Sequence, residues 1–89
     1  MQEPYLEVTF RRGKPFAAYY YLPRRPSQRS YRTERVEAGI IIDFARGGRP
    51  IGLEITAPSK VTLAALNRIL RRLGEDTLRR ADVAPLLAA

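Results

Sequence analysis

Apolar residues recur at every second position through much of the first half of the chain and at every third or fourth position after Thr62, so the sequence reads as strands followed by a helix. Tyr5 to Phe10 alternates Leu6, Val8 and Phe10 with Tyr5, Glu7 and Thr9, the pattern of a half-buried strand over 5–10. Arg11-Arg12-Gly13-Lys14-Pro15 supplies a turn. A second strand over 16–22 follows, with Phe16, Ala18, Tyr20 and Leu22 on one face and Ala17, Tyr19 and Tyr21 on the other. The stretch from Pro23 to Ser30 holds two prolines and a polar, basic run, which cannot sustain a ladder, and it is the segment expected to be flexible. A third strand over 31–37 has little besides Val36 to bury and belongs at an edge.

The most explicit pattern lies in 39–55. Two apolar runs, predicted as strands over 39–45 and 51–56, flank Gly47-Gly48, and glycine supplies the positive φ that two-residue hairpin loops need. That turn sets Phe44 opposite Ile51, Ile42 opposite Leu53 and Ile40 opposite Ile55 on one face. The other face shows Ile41, Asp43, Gly52 and Glu54. A slip of one residue would place Asp43 or Glu54 among the isoleucines, so the pattern defends its own register.

Beyond Ala57-Pro58-Ser59 a helix is predicted over 61–73, with Ser59 or Thr62 as its N-cap. Leu63, Leu66, Ile69, Leu70 and Leu73 form one apolar stripe that should cover the Ile40, Ile42, Phe44 and Leu53 face. Arg68, Arg71 and Arg72 suit the negative end of the helix dipole, and Gly74 suits the residue after its C-cap. Asp76 or Thr77 would cap a short second helix through Ala84, which Pro85 should interrupt. Leu86 and Leu87 are expected to pack on the domain or on a second copy. The reading is a single α+β domain over 1–89, a mainly antiparallel sheet of four to five strands with one amphipathic helix on one face.

A chain of 89 residues removes only about 60–65% of its unfolded surface from water, so its core is thin and self-association would help it. Without cysteine it has no disulfide framework and no thiolate site. Neither a targeting signal nor an apolar run of membrane-spanning length is read, which makes a cytoplasmic location the expectation. The net charge of +7 is uneven. Arg11, Arg12, Lys14, Arg24, Arg25, Arg29 and Arg32 face no acid between them, whereas the other nine cations balance the nine acids. Such a segment attracts polyanions, nucleic acid or an acidic protein, although an arginine-rich, alanine-rich chain is also what a GC-rich genome encodes.

Catalytic options are few. Histidine and cysteine are both absent, which removes the usual general base near neutral pH and the strongest nucleophile. Asp43 and Glu54, on one face of adjacent strands, are the weak candidates for acid–base work or a hard metal ion, against the commoner role of solvating that face or pairing with Arg32 or Arg35. Tyr19 and Tyr21 share a surface with Ile41 and are candidates for a subunit interface; interleaved with arginines, they also suit a stacking platform for single-stranded nucleic acid. No cofactor is implied.

Thr33-Glu34-Arg35-Val36-Glu37-Ala38-Gly39-Ile40-Ile41-Ile42-Asp43-Phe44, followed by Gly48, Ile51-Gly52-Leu53-Glu54-Ile55 and Ser59, resembles the bacterial family called domain of unknown function 2283. The likeness covers roughly Val8 to Ser59. It implies a small sheet with a following helix and no assigned activity, and it makes an antitoxin-like role conceivable. The chain departs from that pattern in charge: Arg11, Arg12, Lys14, Arg46 and Arg49 stand where relatives tend to carry acids, which argues against cation binding and for an anion-facing variant. The leading expectation is a non-enzymatic interaction module that forms a homodimer and binds a partner. The alternatives are a nucleic-acid-binding protein using the basic segment, an antitoxin-like partner protein, and a carboxylate-dependent enzyme or metal site.

Overall fold

Alternation sorts the two faces of the sheet as the sequence suggests, and the strand order follows from where the central hairpin docks. The computed structural model describes residues 3–23 and 28–87. Five strands, β1 (Tyr5–Arg11), β2 (Lys14–Tyr21), β3 (Arg32–Glu37), β4 (Ile40–Phe44) and β5 (Pro50–Ile55), form one antiparallel sheet in the order β1-β2-β5-β4-β3. After β2 the chain passes to the far edge, returns through β3 and β4, and closes the sheet with β5 against β2. β5 thereby takes the central place, and its Ile51, Leu53 and Ile55 are all fully buried. The weakly apolar β3 takes an edge, as its composition requires.

Both hairpin turns differ from the expected ones. The β4–β5 loop spans three residues, not two. Ala45 N–H donates to Arg49 C=O (2.8 Å) and Gly48 N–H to Ala45 C=O (3.0 Å), with positive φ at both Gly47 and Gly48. Phe44 therefore faces Pro50, and Ile51 is the extra residue of a bulge that restores the expected pairs Ile42–Leu53 and Ile40–Ile55. The predicted Phe44–Ile51 pair does not form. The two-residue turn occurs instead in β1–β2, where Arg12 (φ 54°) and Gly13 (φ 78°) both take the left-handed conformation of a type I′ turn between paired Arg11 and Lys14.

One face of the sheet is covered by α1 (Leu63–Arg72) and by the C-terminal segment. Thr62, not Ser59, is the N-cap: its Oγ1 accepts from Ala65 N–H at 3.1 Å, while Ser59 sits in a 3₁₀ turn, Pro58–Lys60. Leu66, Ile69 and Leu70 pack into one cluster with Ile40, Ile42, Phe44 and Leu53, joined by Val83 and Leu86. Leu63 and Leu73 flank this stripe half-buried.

The end of the chain differs from the expected helix. Residues 75–79 are irregular, a 3₁₀ turn runs over Arg80–Val83, and α2 (Ala84–Leu87) contains Pro85. Proline is accepted in a first helical turn because its missing N–H has no intrahelical partner to lose. Asn67 fastens this segment to α1, its Oδ1 accepting from Leu78 N–H (2.7 Å) and its Nδ2 donating to Leu78 C=O (2.9 Å). Leu86 packs on the domain itself. No helix is long and apolar enough to cross a membrane among the described residues.

Candidate functional site

The sheet face opposite α1 gathers the polar chemistry. Tyr19 on β2 stands opposite Glu54 on β5, Glu54 opposite Ile41 on β4, and Asp43 opposite Gly52, so the two carboxylates are diagonal neighbours as the register predicts. Tyr19 O–H donates to Asp43 Oδ2 at 2.7 Å, its ring lying over Gly52 where any Cβ would overlap it. Asp43 is 4% exposed. It is neither solvated nor paired with Arg32 or Arg35: Arg32 donates to Glu34 (3.2 Å) and lies over the Phe44 ring at 4.1 Å. The tyrosine hydroxyl takes the place predicted for an arginine.

Asp43 Oδ1 is buried and receives no hydrogen bond. Glu54, the diagonal neighbour, supplies one when it is protonated. A proton shared with Asp43 is accordingly the first cause that raises the Glu54 carboxyl above its ordinary range; burial and the charge of Asp43 add to it. The linkage sign follows. The folded state holds this proton more tightly than the unfolded chain, so the stabilisation is full below the ordinary carboxylate value of about 4.3 and is lost as pH rises through the elevated folded value. Denaturant midpoints measured across pH for the wild type and Glu54→Gln should therefore diverge, with the wild type losing stability above about pH 4.3 relative to the variant. Parallel curves would remove the shared proton. Among the described residues no group of three or more candidate ligands gathers round this pair.

Tyr21 continues the face. Its ring stacks on Tyr5 (centroids 4.4 Å apart, 15° between planes) and tilts against Tyr19 (4.5 Å), and its hydroxyl donates to Glu7 at 3.3 Å. Tyr19, Tyr21 and Ile41, the interface candidates, are each half-buried within the single chain. Aromatic stacking and cross-strand bonds account for the partial covering of Tyr19 and Tyr21.

The basic segment separates into two poles. Arg11, Arg12 and Lys14 crowd the β1–β2 turn around a hollow of about 450 Å³ with Pro15 and Phe16, and the Arg11 guanidinium lies 5.4 Å from the Phe16 ring. Phe10 and Phe16 are half exposed there (52% and 53%). Arg29 and Arg32 lie at the opposite end of the sheet, beside the β4–β5 loop. With about 3.3 Å per residue, the eight residues of β2 hold the poles about 25 Å apart. Arg24 and Arg25 lie outside the described residues, as does part of the segment expected to be flexible.

At the second pole the structure adds residues that the charge run had not singled out together. Tyr31 N–H donates to Phe44 C=O at 2.8 Å, which brings Tyr31 beside the β4–β5 loop, where the Arg46 guanidinium covers its ring at 4.8 Å. Gln28, Arg29, Ser30, Tyr31, Ala45 and Arg46 line a shallow hollow of about 300 Å³. Tyr31 is 65% exposed, more than Tyr5, Phe10 or Phe16. The sequence signal for this cluster was present in Tyr31-Arg32 and in Arg46 and Arg49, but their proximity depends on β3 pairing with β4.

Fold and surfaces together define a small α+β module, a five-stranded antiparallel sheet covered on one face, with an acidic and aromatic centre on the other and a cationic pole at each end. No protein-family model, curated protein or solved structure matches the chain.

Proposed function

We propose that the protein is a non-enzymatic module that binds single-stranded nucleic acid at the Tyr31 pole. The observation that carries this reading is an exposed aromatic ring set among guanidinium groups: Tyr31 beneath Arg46, with Arg29 lining the same hollow and Arg32 next in the strand. Unstacked bases bind such rings through their π-faces, while arginines neutralise the phosphates beside them. The Arg46 guanidinium lies over the Tyr31 ring, and a base is a flat, sequence-tolerant cover for the part that remains exposed. Kinship with the domain of unknown function 2283 family belongs to the same reading, and the inverted turn charge fits an anionic ligand.

Fluorescence anisotropy with labelled single- and double-stranded oligonucleotides over a salt series tests it. The single strand should bind more tightly, with log affinity falling by about 0.7 per phosphate neutralised for each unit of log salt. Tyr31→Ala should weaken binding by about 1–3 kcal/mol, roughly 5- to 150-fold, and Arg29→Gln with Arg46→Gln should flatten the salt slope. Replacing Arg11, Arg12 and Lys14 by glutamine should leave the Tyr31 effect intact. No binding at low salt, or equal losses from either pole, would reject the assignment.

A further inference from the structure

We infer that β3 is a self-complementary edge, through which two copies of the chain join antiparallel into one continuous ten-stranded sheet centred on Thr33. β3 has β4 on one side and, among the described residues, no strand on the other. Which backbone groups turn outward follows from the ladder. Thr56 N–H donates to Gly39 C=O across the Ile40–Ile55 pair, making that pair the wide, unbonded kind, so the odd residues of β4 bond to β5 and the even ones to β3. Arg32 and Glu34, opposite Phe44 and Ile42, are thus bonded inward, and Thr33 and Arg35 present their N–H and C=O to the open edge.

A two-fold axis that extends a sheet antiparallel is perpendicular to it and keeps each face on its own side. Only residues of the same parity can then face one another. Three such registers fit this strand. Centring on Glu34 sets two carboxylates opposite each other, and centring on Arg35 does the same with two guanidinium groups; both are unfavourable cross-strand pairs. Centring on Thr33 puts Thr33 opposite Thr33 with two backbone hydrogen bonds, and Arg32 of each copy opposite Glu34 of the other. Those charged pairs fall at unbonded positions, where side chains approach most closely. Arg32 and Glu34 already touch within one chain (3.2 Å) with side chains 53% and 54% exposed, so the two-fold would complete an alternating quartet.

The extra residue of the β3–β4 ladder is Val36, beyond this window, and Tyr31 N–H turns inward to Phe44 C=O; along β1, the other edge, the ladder shifts opposite Phe16 of β2. The far end of β3 is held by Glu37, whose carboxylate takes a bidentate bond from Arg68 of α1 (2.9 and 3.1 Å from Nη2), which leaves residues 32–35 as the open docking stretch.

Sedimentation velocity over a concentration series, with far-ultraviolet circular dichroism as a check on folding, tests the edge. The wild type should shift from monomer to dimer. Arg32→Glu and Glu34→Arg should each weaken association by about tenfold or more, because each converts two attractive cross-strand pairs into repulsive ones. An equimolar mixture of these two variants should associate again, since every Arg32–Glu34 position then meets an opposite charge. Thr33→Pro, which removes an outward N–H that the monomer does not use, should give a folded monomer. A wild type that stays monomeric throughout, or a dimer indifferent to Thr33→Pro and Arg32→Glu, would overturn the inference.

Discussion

Gly52→Val is expected to destabilise the fold by about 3 kcal/mol or more, because the branched side chain would occupy the space of the Tyr19 ring. Tyr19 would have to swing away, and Asp43 would lose the hydrogen bond that its Oδ2 accepts, so that among the described residues neither oxygen of this buried carboxylate keeps a partner. Removing one partner of a buried polar pair costs the full desolvation of the other, more when that group is charged. For a domain of this size, whose whole stability is about 4–13 kcal/mol, such a loss would be visible in urea unfolding as a large fall in the midpoint. The mechanism has a specific signature. In a Tyr19→Ala background the ring is already gone, so Gly52→Val should add much less than it does alone. Additive effects would mean that the valine acts on the backbone and not through the tyrosine.

Leu53→Ala should cost about 2–5 kcal/mol, the range for deleting a fully buried leucine from a packed core. Leu53 is completely buried on β5, between Tyr20 of β2 and Ile42 of β4, and belongs to the cluster that α1 covers. Central strands have neighbours on both sides and a helix above, so the space left by the missing methyls cannot collapse easily. Urea unfolding followed by circular dichroism measures the change. A loss below about 1 kcal/mol would show that the α1 layer repacks, a looseness that the fully buried Leu66, Ile69 and Leu70 argue against.

Both effects lie on β5, and the sequence announced only one of them. Leu53 belongs to an alternating apolar run, so its burial can be read from the chain. Gly52 looks like a weak point in that run. Its role depends on Tyr19, which is 33 positions earlier and reaches it only because β5 inserts between β2 and β4. The acidic pair shows the same division. Its diagonal placement follows from the register of one hairpin, but the burial of Asp43 requires the tyrosine from β2 above it. An arginine partner was a reasonable expectation from composition, since the chain is rich in arginine. The geometry favours a hydroxyl because Tyr19 and Asp43 project from the same face two strands apart.

Charge along the chain was equally incomplete as a guide to charge in space. A contiguous basic segment suggests one patch, yet a strand within that segment carries its two ends to opposite limits of the sheet. Arg46, remote in sequence from Tyr31, becomes its neighbour by the pairing of β3 with β4. Turn chemistry misled in a related way. Gly47-Gly48 has the composition of a two-residue loop, but a three-residue loop plus a bulge at Ile51 gives the same downstream register, so the pattern of buried residues could not tell them apart.

Legible in the chain alone are the five strands, the two faces of each, α1 with its apolar stripe, and the pairing of Ile40 and Ile42 with Ile55 and Leu53. These are consequences of period and side-chain size, which act over a few residues and leave a mark in the chain. Tertiary contacts set the strand order, the Tyr19–Asp43 bond over Gly52, the division of the cations between two poles, and the outward direction of Thr33 on the open edge. Each of these depends on contacts between residues far apart in the chain, and such contacts are fixed by which apolar faces find one another when the sheet closes, a choice that no local pattern records.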